Sequence, residues 1–303
     1  MATTVRETIK EITRAHLIDG GKCYGQCLTA VGWVGGTLPE FYEEDGMVEL
    51  SMADVAASGF LTGIALAGER PIYVVRYQGF QWYNSPIIAN YAMKSQEIWQ
   101  RPCPLMVRSI AMEGGIGPAA GSSHHSIYQR MPGVKIAAPM TPEEYRSVYN
   151  SFMKDDCVYY ISEHRKSYDN TEELPNTFHE ESDITLFPIS ITRFAAEEAC
   201  RSLESEGYRV NVDHILWIKP FNLSEESLTA LKSSKFGGIV LDDDYEEGAA
   251  SSIAHRIMLK SNKPIHTMAL KHRTAGFHPR VDNLPPSASE IVKKVRECCS
   301  STQ

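Results

Sequence analysis

The chain has 303 residues, 43% of them hydrophobic and 22% charged, which is ordinary for a globular protein long enough to form two domains. Its 38 acidic residues outnumber the 30 lysines and arginines, and the formal net charge of −8 argues against nonspecific binding to nucleic acid. The sequence contains no apolar run of the ~18 residues that a membrane-spanning helix requires.

The N-terminal segment MATTVRETIKEITRAHL predicts an amphipathic helix, because Val5, Ile9 and Ile12 recur at helical spacing among charged residues. This segment lacks the apolar core of a signal peptide. The seven cysteines form no C-x-x-C pair, which favours free thiols in a reducing compartment over a zinc site. These features predict a soluble, cytoplasmic protein.

Short β-rich runs then alternate with helical stretches, which predicts an α/β fold with a mainly parallel sheet covered on both faces. The predicted strands are KCYGQCLT, MVEL, PIYVVRY, PLMVRSIA, VKIAAP and CVYYISE, and the predicted helices cover 53–67, 84–100 and 141–153. The last helix begins with TPEE, where Thr141 is the expected N-cap, Pro142 the first helical residue and Glu144 the partner in a capping box.

A polar stretch that begins at Arg165 interrupts this alternation and is rich in Asn, Glu and Pro, which predicts a linker. A second series of elements follows: strand DITLFPIS, helix 191–206, strand VNVDHILWI, helix 224–233, strand GGIVLDD, helix 248–260, strand PIHTMAL and a final helix near 286–298. We therefore place a first domain at 1–165, a linker at 166–182 and a smaller α/β domain at 183–303.

The glycine-rich stretch EGGIGPAAGSSHHS follows a predicted strand but does not match a phosphate-binding loop. It lacks the G-x-x-x-x-G-K-[ST] pattern, and a proline follows its G-x-G where a dinucleotide fingerprint would open a helix. A structured loop is the better interpretation. His124 and His125 at its end suit proton transfer, and the alternative is an exposed pair with no chemical role.

The run LDDDYEEG holds five acids, Asp242 to Asp244 with Glu246 and Glu247. Such a run at the end of a strand is typical of a solvated loop, and a divalent-metal site is the less favoured alternative. We therefore assign no metal ligand to this chain.

Asp54 is the one acid in an otherwise small and apolar stretch, MADVAASGFLTGIALAG. One interpretation is structural, because an aspartate suits both the N-cap and the first turn of the helix that begins here. The other is functional, because burying a charge is costly unless the charge is paired, capped or used.

Several segments, in this order, resemble the β subunits of thiamine-diphosphate-dependent 2-oxo-acid dehydrogenases and the C-terminal half of transketolases. They are GERPIYVVRYQGFQWYNSPIIANYAMKS, MPGVKIAAPMTPEEYRSVYNSFMKDDCVYYISEHRKSY, SDITLFPIS, ILWIKPF and GGIVLDDDYEEGAASSIAHRI. The resemblance covers nearly the whole chain. It implies a pyrimidine-binding domain at 1–165 and a transketolase C-terminal-type domain at 183–303.

The resemblance also implies a role for Asp54. The family places a glutamate here, whose carboxylate hydrogen-bonds N1′ of the aminopyrimidine in thiamine diphosphate and favours the tautomer that removes the thiazolium C2 proton. Met52 falls on an apolar position near the pyrimidine and Phe80 on the aromatic residue that stacks against it. Arg76 falls where relatives often have glutamine, so its role in cofactor binding stays open.

The family's active-site histidine belongs in the SSHHS loop. The spacing leaves three alternatives, which are His124, His125 or neither.

Aspartate at position 54 departs from the family pattern, because its side chain is shorter than that of glutamate by one C–C bond, about 1.5 Å. A hydrogen bond tolerates only a few tenths of an ångström around its optimum. Either the backbone approaches the cofactor more closely here, or a water molecule bridges the gap, or activation is weaker.

The chain lacks the G-D-G…N motif through which relatives bind the diphosphate and Mg²⁺. The resemblance therefore implies half of an active site, completed by an α-type subunit that holds the Mg²⁺, in an α2β2 assembly. The leading expectation is the decarboxylating first component of a 2-oxo-acid dehydrogenase, with a 2-oxo acid as substrate and a lipoyl acyltransferase as further partner. The alternatives are a split transketolase or carboligase subunit acting on a ketose, and a non-catalytic regulatory subunit.

Overall fold

The computed structural model of the chain describes residues 2–113, 117, 119–275 and 283–300. The chain divides into two compact units, one formed by Met1–Met112 with Ser123–Glu173 and the other by Glu113–Ser122 with Leu174–Gln303. The structure thus groups Glu113–Ser122 with the second unit, whereas the boundaries drawn from the sequence include them in the first. Across the described ranges, every helix is too short or too polar to span a lipid bilayer.

The first unit alternates helices and strands from its N-terminus. Its helices are α1 (Val5–Ile18), α2 (Ala30–Gly36), α3 (Asp54–Leu66), α4 (Gln81–Ile87), α5 (Ser95–Trp99) and α6 (Pro142–Phe152). Its strands are β1 (Cys23–Gly25), β2 (Met47–Glu49), β3 (Ile72–Val75), β4 (Met106–Ala111), β5 (Val134–Ala137) and β6 (Val158–His164).

These strands form a parallel sheet in the order β2–β1–β3–β4–β6–β5. Every residue of β3, β4 and β6 is buried. Such uninterrupted burial is typical of a parallel sheet whose two faces are both covered.

Side-chain caps explain where two of the helices begin. At α1 the Thr4 hydroxyl accepts the Glu7 amide at 3.1 Å and the Glu7 carboxylate accepts the Thr4 amide at 2.9 Å, a complete capping box. At α6 Thr141 caps the helix as predicted. The predicted box is incomplete, because the Glu144 carboxylate accepts the amide of Met140 instead of that of Thr141.

The single helix predicted at 84–100 is wrong, because three shorter segments replace it. Helix α4 begins at Gln81, a π-helical turn covers Ile88–Ala92, and α5 begins at Ser95. Pro86 lies inside α4 and has no N–H to donate, which interrupts the regular hydrogen-bond ladder just before the π turn.

The stretch AVGWVGGT forms one turn of left-handed helix, α2. All residues from Val31 to Gly35 have positive φ. Glycines tolerate this conformation, whereas each other residue pays about 1–2 kcal/mol. The Arg6 guanidinium donates to the carbonyl of Gly35 and helps to hold the turn.

The second unit repeats the α/β alternation on a smaller scale. Its strands are β7 (Ile184–Pro188), β8 (Val210–Val212), β9 (Trp217–Lys219), β10 (Gly238–Tyr245) and β11 (Ile265–Leu270), and its helices are α7 (Thr192–Ser205), α8 (Glu225–Ser233), α9 (Ala249–Ser261) and α10 (Ala288–Ser300). Four strands form a parallel sheet in the order β11–β10–β7–β8. The prediction of an α/β fold with a mainly parallel-sheet part and a smaller α/β part is confirmed.

The interpretation of LDDDYEEG as a solvated loop is wrong for its aspartates. Asp242, Asp243 and Asp244 lie on β10 and are at most 2% exposed. Asp242 accepts the amides of the next two residues, and Asp243 accepts the Ser190 hydroxyl at 3.1 Å. Backbone amides and a neighbouring hydroxyl thus take the place of water at oxygens of Asp242 and Asp243.

A buried ion pair joins two central strands of the first unit. Arg108 on β4 and Glu163 on β6 are 4% and 0% exposed, and Arg108 Nε lies 2.6 Å from Glu163 Oε1. The Tyr168 hydroxyl donates to the second oxygen of Glu163 at 2.9 Å. Burial alone would lower the pKa of Arg108, but the Glu163 carboxylate outweighs it and the pKa is raised.

Candidate active site

Polar side chains gather where the central strands of the first unit end. Ser109 on β4 and Ser162 on β6 are paired neighbours, and Val75 at the end of β3 is in register with Ser109. Gln78 and Gln81 follow β3 and reach towards both serines. The carboxyl ends of parallel strands are where α/β sheets bind ligands.

Gln78 is the centre of this polar group and is completely buried. Its amide nitrogen donates to the Ser162 hydroxyl at 2.8 Å and to the Ser109 carbonyl at 3.2 Å. Its amide oxygen accepts the backbone N–H of His124 at 2.6 Å and the Tyr160 hydroxyl at 3.2 Å. With all four bonds made, Gln78 serves to fix the histidine loop to the strand ends.

The two histidines of the SSHHS loop occupy different environments. His125 is completely buried, with Nδ1 3.2 Å from the Ser162 hydroxyl, so the alternative of an exposed pair is wrong for this residue. His124 is half-buried, and its ring meets the Trp82 ring edge-on with centroids 5.9 Å apart.

Asp54 is the first residue of α3 and is half-buried. The N-cap position belongs to Ala53, which has no side chain able to cap the helix, so the interpretation of Asp54 as an N-cap is wrong. The carboxylate still lies in the first turn, where the helix dipole favours a negative charge.

Asn84 on α4 connects this acid to its surroundings. Its amide nitrogen donates to Asp54 Oδ1 at 3.2 Å and to the Phe80 carbonyl at 3.2 Å. Its amide oxygen accepts the Tyr73 hydroxyl at 3.0 Å. We call Asp54, Tyr73, Phe80 and Asn84 the Asn84 cluster. Among the described residues, the second carboxylate oxygen of Asp54, Oδ2, accepts no hydrogen bond.

The electrostatics of the cluster keep Tyr73 as a donor. Burial, followed by the negative charge of Asp54, raises the pKa of Tyr73, so its hydroxyl stays protonated. The same holds for Tyr128, whose pKa burial raises strongly and whose hydroxyl donates to Gln81 at 2.9 Å.

The structure brings together only some of the predicted site residues. Phe80 joins Asp54 through Asn84, and its half-buried ring packs against Tyr77 with centroids 5.9 Å apart. Met52, two residues before α3, is 76% exposed. Arg76 donates to the carbonyl of Cys27 at 3.0 Å, which engages its guanidinium with the backbone that follows β1.

The sequence analysis missed five polar residues that build this edge. They are Gln78, Gln81, Asn84, Ser109 and Ser162. One signal was available, because QGFQWYN places three amide side chains directly after a buried strand. An amide that is buried must be satisfied, so a cluster of amides there indicates a built polar site.

A surface of large apolar side chains borders the cluster on α3 and α4. Val55, Phe60, Trp82 and Tyr83 are each 53–60% exposed. Helix α3 carries no charged residue besides Asp54. A helix that is apolar on all sides is normally covered, so this surface indicates a protein interface. We call these four residues the α3–α4 surface.

The arrangement suits a flat ligand that carries a ring N–H. No described residue donates to Asp54 Oδ2, and the half-buried Phe80 ring offers an apolar face in the same cluster. A protonated ring nitrogen would complete the carboxylate's hydrogen bonds.

The chain is similar to several known proteins. Residues 31–171 match the family described as transketolase, pyrimidine binding domain. The pyruvate dehydrogenase E1 component subunit beta of Rickettsia felis is 22% identical, with 99% of each chain covered. The protein of the same name from Staphylococcus epidermidis is 22% identical, with 86% of this chain and 85% of the relative covered.

Among solved structures, a chain described as "Split gene transketolase, inactive beta4 tetramer" superposes with a TM-score of 0.76. The two chains are 14% identical and each is covered completely, so this likeness concerns the fold.

Proposed function

We propose that this chain binds the aminopyrimidine half of thiamine diphosphate, a proposal supported by its similarity to a transketolase pyrimidine-binding domain and to β subunits of pyruvate dehydrogenase E1 components. The reaction would cleave or form a bond next to a carbonyl. The observation that carries the proposal is Asp54, which has one carboxylate oxygen held by Asn84 and the other without a protein donor among the described residues.

The residues present fit the cofactor. Asp54 offers the acceptor that a protonated pyrimidine nitrogen requires, and Phe80 offers an aromatic face. When bound, thiamine diphosphate supplies a carbon nucleophile that adds to carbonyl groups. In this proposal Asp54 holds the proton at the ring nitrogen and Phe80 orients the ring.

The SSHHS loop is the proposed source of a proton-transfer group near the substrate. His124 is the better candidate, because its ring is half-buried whereas that of His125 is completely buried. Gln78 would hold the loop in place through the His124 amide. Proton transfer requires access to the reacting group, which favours the more accessible ring.

We propose that an α-type subunit supplies the other half of the site. The chain has no G-D-G sequence for diphosphate and Mg²⁺, and the α3–α4 surface beside Asp54 leaves four large apolar side chains in water. A partner on this surface would both cover it and bring the missing ligands next to Asp54. The names of the curated relatives, which describe a β subunit of an E1 component, support such a heteromer.

A split transketolase subunit is the second candidate, supported by the fold likeness to a split-gene transketolase. The two candidates differ in substrate. The assembled heteromer would turn over a 2-oxo acid in the first case and a ketose phosphate donor in the second.

Replacing Phe80 tests the cofactor-binding role. In the assembled heteromer, Phe80→Ala should remove a ring contact worth about 1–3 kcal/mol, which lowers the affinity for thiamine diphosphate tenfold or more. The measurement is titration calorimetry with Mg²⁺ present. Phe236→Ala, which truncates a half-buried phenylalanine in the second unit, is the matched control and should leave the affinity unchanged.

Two outcomes would contradict this role of Phe80. One is an unchanged affinity in Phe80→Ala, and the other is an equal loss in Phe236→Ala, which would indicate general destabilisation instead of a lost contact.

A further inference from the structure

We propose that Asn84 is the positioning residue of this site, which holds one oxygen of Asp54 so that the other faces the ligand. The inference rests on the proposed function, because it assigns the free oxygen, Oδ2, to the pyrimidine N–H. It concerns a residue that neither the motifs nor the family pattern singled out.

The orientation of the Asn84 amide follows from its partners. Two of them, the Asp54 carboxylate and the Phe80 carbonyl, can only accept, so they require the amide nitrogen. The Tyr73 hydroxyl stays protonated and donates to the amide oxygen. The hydrogen bonds therefore run in one direction, from Tyr73 through Asn84 to Asp54.

Burial makes this arrangement rigid. Asn84 is 0% exposed and Tyr73 1% exposed, so water cannot replace either partner when the amide rotates. A buried amide or hydroxyl left without a partner is destabilising. Rotating the Asn84 amide would turn its oxygen towards two acceptors, the Asp54 carboxylate and the Phe80 carbonyl, and would take the acceptor away from the Tyr73 hydroxyl, so the amide stays in place and with it the Oδ1 atom of Asp54.

The same amide ties the acid to the aromatic residue. One N–H of Asn84 reaches Asp54 and the other reaches the backbone of Phe80, both at 3.2 Å. The proposed hydrogen-bonding group and the proposed stacking group are thus located relative to a single side chain. This positioning by Asn84 matters more for aspartate than for glutamate, because the aspartate side chain has fewer torsions with which to reach a ligand.

Ligand analogues can measure this positioning without any turnover. The probes are thiamine diphosphate, an analogue with CH in place of N1′ and an analogue with CH in place of N3′, each bound with Mg²⁺ to the chain assembled with its α-type partner. In the wild type, loss of N1′ should lower the affinity by about tenfold to a hundredfold, as expected for a hydrogen bond to a charged group. The analogue with CH in place of N3′ is the control, because it makes the same change of ring atom at a different position.

Three variants then separate the contribution of the Asp54 carboxylate from that of Asn84. We call the loss of affinity that follows replacement of N1′ by CH the N1′ effect. In Asp54→Ala this effect should vanish. In Asn84→Leu it should fall below about threefold, because Asp54 is present but no longer held. Asn90→Leu makes the same substitution at an exposed site on the neighbouring turn and should keep the full wild-type effect.

A second Asn84 variant guards against misfolding. Asn84→Leu alone leaves the buried Tyr73 hydroxyl without its acceptor, which destabilises the fold. Tyr73→Phe/Asn84→Leu replaces both partners by apolar groups and should fold more stably while it still loses the N1′ effect.

The outcomes separate this inference from the proposed function. If the wild type binds the analogue without N1′ as tightly as thiamine diphosphate, the proposed function is overturned, and the inference with it. The same follows if Asp54→Ala still shows the N1′ effect. If the wild type shows the N1′ effect and the Asn84 variants show it at full size, only the role of Asn84 is overturned.

Discussion

Asp54→Asn is expected to abolish activation of thiamine diphosphate in the assembled enzyme while the protein remains folded. The amide oxygen can still accept the N–H of Asn84, so the cluster keeps its geometry. The lost group is the negative charge that supports a proton on the pyrimidine nitrogen. We expect turnover to fall by at least about a hundredfold. The free energy of unfolding should change by less than about 1 kcal/mol, since Asp54 contributes to α3 only through the helix dipole.

Asp169→Asn is the matched control, because it removes an acid whose side chain is 84% exposed and pairs with Arg6 at the surface. It should leave turnover unchanged.

Asp54→Glu asks whether the site has room for the longer acid. It should retain activity if the space allows it, and lose stability by about 1–3 kcal/mol if the site is packed around aspartate. Wild-type turnover in Asp54→Asn would contradict the role of the carboxylate.

Glu163→Gln is expected to destabilise the first unit by about 3–5 kcal/mol, because it leaves Arg108 as an uncompensated charge inside the sheet. Both partners are almost completely excluded from water, so the solvent cannot take over the lost interaction. The measurement is the free energy of unfolding in urea, followed by a signal from the first unit, since two units need not unfold together.

Two further variants test the cause of this loss. Arg108→Met/Glu163→Leu removes both charges and should recover much of the stability, because no buried charge remains. Glu11→Gln removes an exposed acid that pairs with Arg146 at 3.2 Å and should cost less than about 0.5 kcal/mol. A Glu163→Gln variant as stable as Glu11→Gln would show that water reaches Arg108.

Much of the fold could be predicted because local signals and burial agree. The cap at Thr141 and the β-rich runs point to the same elements that the structure contains. The failures occur where tertiary contacts override the local pattern. Three consecutive aspartates have no local reason to be buried, yet a strand carries them inside, where backbone amides bind Asp242 and the Ser190 hydroxyl binds Asp243.

The residues of the candidate site also fall into those that the sequence could indicate and those that only tertiary contacts identify. The resemblance led to Asp54 and Phe80 as proposed cofactor residues, because it carries the acidic and the aromatic position of the family onto this sequence. Asn84 and Gln78 could not be assigned, because their roles depend on partners far away in sequence, such as Asp54 for Asn84 and Ser162 for Gln78. Of the two structural interpretations of Asp54, the N-cap fails because Ala53 holds that position, and the first helical turn holds because α3 begins at Asp54.

Cofactor binding by the chain with and without its partner tests the central claim most directly. Titration calorimetry with thiamine diphosphate and Mg²⁺ should show weak binding to the isolated chain and binding at least about a hundredfold tighter to the chain assembled with an α-type subunit. Tight, Mg²⁺-dependent binding to the isolated chain would contradict a site shared between two subunits.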